Sequence, residues 1–279
     1  MPPFYIQLIL ALLVGSLLLC TAVYLCGTRR ALPAVPMYAT GAFPNVWDTL
    51  GTAFFIILFV GSLVSTLPMT EAAAELKGTG QTQSVTTLAL ELLIQALVYV
   101  PMAIRFCLLP KRERQPLGFP RAALMVMAAV GLILCFSAVL GALRADKLIM
   151  DLTGCPEQQD VVQCMMDGNA AQKVILAIAA VIMAPIGEEI CFRGFIYNIL
   201  RQRAGVWAAA IATGVLFGAV HASLVQFLPL VFFGMVQCFI YEKSKTLLVP
   251  MAVHAVFNSL SVAVILAMPY LPEAVRNAL

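Results

Sequence analysis

This chain is constrained above all by a succession of apolar runs separated by short polar stretches; the first extends from Phe4 to Cys26 without a charged side chain. A bilayer-spanning helix needs about 20 apolar residues at about 1.5 Å each. On that ruler the sequence predicts spanning segments near 4–26, 49–69, 85–109, 121–143, 174–200, 205–221, 225–241 and 246–268. The expected fold is an all-α polytopic transmembrane bundle of about eight helices. Composition agrees: 62% of residues are hydrophobic and 11% charged, whereas soluble domains are roughly a quarter charged. A net charge of +3 with no basic, aromatic-interleaved block excludes a nucleic-acid partner.

No Lys or Arg precedes the first apolar run, and Arg29 and Arg30 follow it. The pattern is that of a retained helix with its N-terminus outside, not a cleavable signal. With that orientation ten Lys and Arg fall in inside loops and five outside, which places both termini outside by the positive-inside rule. The expected location is a bacterial cytoplasmic membrane. The polar 144–173 stretch then faces an oxidising compartment, and a Cys155–Cys164 disulfide is expected in it. Trp47, Tyr99, Trp207 and Tyr241 are read as interfacial aromatics. Gly214 and Gly218, four apart among alanines, predict close approach of a neighbouring helix.

Against this apolar background a few ionisable residues stand out. Both histidines lie in apolar segments, as Phe217-x-x-x-His221 and His254-x-x-x-Asn258, and the only Glu-Glu pair, Glu188-Glu189, has Arg193 one turn on. Each such group at a bilayer centre costs about 2.5–3.5 kcal/mol on insertion scales, so these persist when paired or functional. Residues four apart share a helix face: Glu189 can pair with Arg193, Phe217 can pack on His221, and His254 and Asn258 can address one atom. Glu188 points about 100° from Glu189, toward a different cavity. A carboxylate and an imidazole can deprotonate a water, and an imidazole and a carboxamide can donate to an oxyanion. Glu188, His221 and His254 could alternatively supply three zinc ligands, although H-E-x-x-H is absent. A non-catalytic membrane binding protein and a proton-coupled transporter are the other classes such residues permit.

The ordered set Glu188-Glu189-x-x-x-Arg193, Phe217-x-x-x-His221 and His254-x-x-x-Asn258, with Gly194 and Leu248-Val249-Pro250, resembles the CPBP family of CAAX proteases and bacteriocin-processing enzymes, also called ABI proteins. The resemblance covers about 174–262, within an expected membrane domain of 85–279; residues 1–84 are expected to be accessory transmembrane segments. It implies an intramembrane endopeptidase similar to the type II CAAX prenyl endopeptidase, acting on a peptide or membrane-protein substrate that can be lipidated. By that likeness Glu188 is the general base and His221 helps bind the water. His254 and Asn258 form the oxyanion hole, with Glu189, Arg193 and Phe217 in support. The family likeness favours metal-free chemistry, with zinc as the alternative cofactor. A bacteriocin-immunity protein on the same fold is the second reading.

Overall fold

A computed structural model describes residues 4–27, 85–103, 117–155 and 160–272. Every element in them is helical: α1 (Phe4–Cys26), α2 (Val85–Ala103), α3 (Phe119–Ala142), α4 (Ala145–Thr153), α5 (Asp160–Asp167), α6 (Ala170–Ala204), α7 (Val206–Val220), α8 (Leu224–Ser244) and α9 (Leu248–Ala267), closed by a 3-10 turn. Five of these, α1, α3, α6, α8 and α9 with its closing turn, are long and apolar enough to cross a membrane, while α7 and the apolar stretch Leu88–Leu97 of α2 are shorter. The 49–69 segment and Trp47 lie outside the described residues. Large apolar side chains face outward all round, as at Leu18, Leu97, Phe119 and Leu124. Lipid is the solvent that tolerates this surface, and the chain is an integral membrane protein.

Helix α7 is the axis of the bundle. Its 15 residues are rich in small side chains, and Ala209, Ala210, Ala212, Thr213, Gly214, Phe217 and Gly218 are all buried. A Cβ at Gly214 would lie 2.7 Å from the Val231 carbonyl oxygen, and one at Gly218 2.9 Å from that of Phe227. The expected close approach is therefore met by α8, backbone against side-chain-free backbone. Helix α1 packs on α7 from the other side, with Cys20 Sγ 3.5 Å from the Ala212 carbonyl oxygen. At its end Tyr24 meets Arg203 of α6, hydroxyl to guanidinium, at 3.0 Å. The far ends of α6 and α8 are tied by Arg201, which donates through Nε and Nη2 to both oxygens of Glu242 at 2.6 and 2.8 Å. Lys245 and Tyr197 join the same carboxylate.

Several sequence expectations change here. The polar 144–173 stretch is not a loop; α4 and α5 fold in it, because apolar residues such as Leu148, Ile149 and Leu152 recur at helical spacing. Cys155 and Cys164 are free thiols. Cys155 follows the left-handed Gly154 that ends α4, and Cys164 is carried within α5. Tyr99 and Tyr241 are core residues, 6% and 1% exposed, rather than interfacial ones, whereas Trp207 is 68% exposed. The Tyr241 hydroxyl accepts from Asn198, and the Tyr99 ring lies against Gly187, where a Cβ would meet it at 2.4 Å.

Candidate active site

Helix α6 begins at Asn169, whose side chain accepts from the Gln172 backbone while Gln172 returns a bond to the Asn169 backbone, a reciprocal capping box. Further on, α6 is interrupted by two π-helical stretches, Ala179–Met183 and Ile190–Tyr197, on either side of the Glu188-Glu189 pair. Such wide turns inside α-helices are frequently found at functional sites. The first has an identifiable cause in Pro185. The Ala184 N–H bonds the Ala179 carbonyl, five residues back, so it is lost to Ala180. The next residue, Pro185, has no N–H to replace it. The orphaned Ala180 carbonyl is instead satisfied across the bundle by Asn258 Nδ2 of α9, at 2.7 Å.

That bond gives Asn258 a partner the sequence did not suggest. One amide proton is committed to the first π-turn of α6. The second remains for another acceptor.

Glu189 and Arg193 pair as expected, at 3.0 Å and with both side chains wholly buried. Their surroundings are richer than the pair alone. Glu189 Oε1 accepts from Arg193 Nη1, from Gln237 Nε2 at 3.1 Å and stands 3.0 Å from His254 Nδ1. Arg193 Nη2 donates to the Gly234 carbonyl at 3.1 Å, and its guanidinium lies 4.7 Å over the Phe217 ring centroid. Phe217 is fully buried and also contacts Phe192, Phe233 and His221. It is thus a packing partner of imidazole and guanidinium, with no surface left for substrate. Phe192 is likewise core.

Glu188 does not address a separate cavity. Its Oε2 stands 3.9 Å from Nε2 of His254 and 3.8 Å from Nε2 of His221, so the two glutamates flank the two nitrogens of one imidazole ring. The neighbours of the rings define their tautomers. His221 Nδ1 is 2.7 Å from the Phe217 carbonyl, which can only accept, so Nδ1 carries a proton. His254 Nδ1 faces a carboxylate held by Arg193, so it donates there too. In both rings Nε2 is then turned toward Glu188.

Helix α7 is short: at about 1.5 Å per residue its 15 residues reach only partway across a bilayer, and His221 caps its C-terminal end. Ala222, with φ of 52°, turns the chain directly into α8, whose first residues are capped by Ser223. Irregular backbone at membrane depth is tolerated where it lines a polar cavity. His221 and Glu188 are the more open members of the group, with side chains 28% and 17% exposed, against 5% for His254 and 0% for Glu189. The site therefore opens past the α7–α8 turn and closes toward the Glu189–Arg193 pair.

No group of three or more His, Cys, Asp or Glu side chains among the described residues is placed to hold a metal ion. Sequence reading missed the contribution of α8 altogether: Phe233, 4.9 Å from the His254 ring, the Gly234 carbonyl and Gln237. Gln237 had one available signal, a lone amide deep in an apolar run. The Gly234 carbonyl had none.

A family model described as Type II CAAX prenyl endopeptidase Rce1-like matches residues 170–260, a span that contains Glu188, His221, His254 and Asn258. The chain is 29% identical over 126 residues to a Bacillus subtilis (strain 168) protein named "Putative membrane peptidase YdiL", covering 45% of this chain and 49% of that one. It is 27% identical over 104 residues to an "Uncharacterized 24.3 kDa protein" of Escherichia coli, covering 36% and 48%. The chain spans about half the length of these curated relatives. No solved structure gives a significant match. Over residues 170–260 the chain is thus similar to the Type II CAAX prenyl endopeptidase Rce1-like proteins.

Proposed function

We propose that the protein is an intramembrane endopeptidase in which Glu188 activates water without a metal ion. The observation that carries this reading is the environment of Glu188 Oε2. It is buried, makes no hydrogen bond among the described residues, and faces two imidazole Nε2 atoms at 3.8 and 3.9 Å. Neither ring nitrogen bonds the carboxylate directly at those separations, and a slight widening of the group lets a water bridge them. Water held there donates one proton toward Glu188 and one toward His221 Nε2, leaving a lone pair for the scissile carbonyl carbon.

In the first step Glu188 takes a proton as the water oxygen bonds to that carbon, and the carbonyl electrons move onto its oxygen. A His254 ring that enters the step carrying a proton on each nitrogen keeps Nδ1–H on Glu189 and donates Nε2–H to the oxyanion. Asn258 offers its second amide proton to the same oxygen. Collapse of the intermediate breaks the C–N bond, and Glu188 returns its proton to the departing amine. The Glu189–Arg193 pair keeps the His254 ring oriented, and exclusion of water from this end strengthens each interaction.

The substrate is a peptide or membrane protein, with a lipidated segment compatible with a site that opens inside the bilayer. The reaction takes place in a bacterial cytoplasmic membrane. The test is hydrolysis of matched prenylated and unprenylated membrane peptides by purified protein in nanodiscs. Wild type should cleave at least one series, Glu188→Gln should cleave neither, and equal cleavage by both proteins would overturn the role of Glu188.

A further inference from the structure

Gln237 lies in the apolar helix α8 with none of its surface exposed. Its Nε2 donates to Glu189 Oε1 at 3.1 Å and to the Pro250 carbonyl at 2.8 Å. Both neighbours are acceptors, so the amide nitrogen, not the oxygen, must face them. Both amide protons are thereby used, while Gln237 Oε1 is buried with no hydrogen bond among the described residues. Leaving that oxygen unpaired is a cost that a leucine or methionine in the same space would avoid. The two donated bonds are what the amide supplies in return.

Those bonds reach two places. Pro250 is one turn before His254 on α9, so Gln237 fixes the turn that carries the imidazole. Glu189 belongs to α6, and its Oε2 has no partner among the described residues; the carboxylate is oriented only by the donors gathered on Oε1. Of the three donors to Glu189 Oε1, only Gln237 also bonds the backbone beneath His254.

We infer that Gln237 is a positioning residue: it holds the Glu189 carboxylate and the α9 turn together, so that His254 keeps Nδ1–H on Glu189 and presents Nε2 to Glu188. The role rests on the proposed Glu188 chemistry, but the arrangement can be read without any cleavage.

The chain contains two histidines, so selective 15N-histidine labelling of the full protein in nanodiscs reports His221 and His254 and nothing else. Wild type should show both rings as the Nδ1–H tautomer when singly protonated. In Gln237→Met the His254 nitrogens should move toward the averaged position of two exchanging tautomers, with His221 unchanged as the control for folding. Unchanged His254 nitrogens in a folded Gln237→Met protein would overturn the inference.

If both rings collapse to free-histidine positions, the informative variant is Gln237→Glu. The charged groups facing that position are Glu189 and Arg193 of α6 and His254 of α9. The new carboxyl can donate to one of the two acceptors when protonated and repels both when ionised. The His254 spectrum should then change between acidic and neutral pH by more than wild type does, and an identical pH response would refute the role. Because no substrate is involved, failure here leaves the peptidase reading intact, and absent cleavage leaves this result standing.

Discussion

Replacing Arg193 by methionine removes a buried cation and leaves the Glu189 carboxylate, which has no exposed surface, without a countercharge. Removing one partner of a buried ion pair costs about 3–5 kcal/mol. The bond to the Gly234 carbonyl contributes about 1 kcal/mol more, and the stacking over Phe217 about 1–2 kcal/mol. These overlap, so we expect a net loss of about 5 kcal/mol, comparable to the whole stability of a marginal domain. At roughly 2–4 °C per kcal/mol for a domain of this size, the midpoint should fall by about 10–20 °C. Thermal unfolding in nanodiscs measures it. The decisive comparison is the double variant Glu189→Gln with Arg193→Met, which removes both charges but keeps a carbonyl oxygen to accept from His254 and Gln237. It should recover at least half of the loss. A double variant that melts at or below the Arg193→Met protein would refute the explanation by uncompensated buried charge.

Gly187→Ala should destabilise by about 1–3 kcal/mol and reduce cleavage, because its Cβ would sit 2.4 Å from a rigid Tyr99 ring beside Glu188; unfolding and turnover measured together check this. Asn258→Asp removes the donor to the Ala180 carbonyl and should cost about 1–3 kcal/mol. Wild-type thermal stability in that variant would show the Pro185 π-turn to be satisfied otherwise. Gly214→Val should force α7 from α8, since its side chain would enter the space of the Val231 carbonyl. Spin labels on the outer faces of the two helices should report a larger separation, and an unchanged distance would contradict the packing described.

Much of the site was legible because charge in an apolar run is rare. Glu188, Glu189, Arg193, His221 and His254 stand out on composition alone, and the structure brings all five together. What helical periodicity supplies is a face, not a partner. It placed Glu189 with Arg193 correctly, but it turned Glu188 away from a ring that the two glutamates in fact share. Both lie in the α-helical stretch Ala184–Glu189, so the angle between them stands; what periodicity omits is that two adjacent faces can reach the two nitrogens of one ring. Asn258 shows the same limit: its partner is a carbonyl orphaned by Pro185 on another helix, and only tertiary structure brings them together. The Gly234 carbonyl carries no side-chain signal at all. Gly214 and Gly218 were readable as a contact surface, but not the identity of α8 as the helix that fills it.

The most direct test of the central claim compares peptide termini in membrane fractions of cells making wild type or Glu188→Ala at matched expression. A Glu188-activated endopeptidase predicts a terminus lost in the variant, with its uncut precursor accumulating. Identical termini in the two membranes, with the wild-type phenotype preserved, would contradict it.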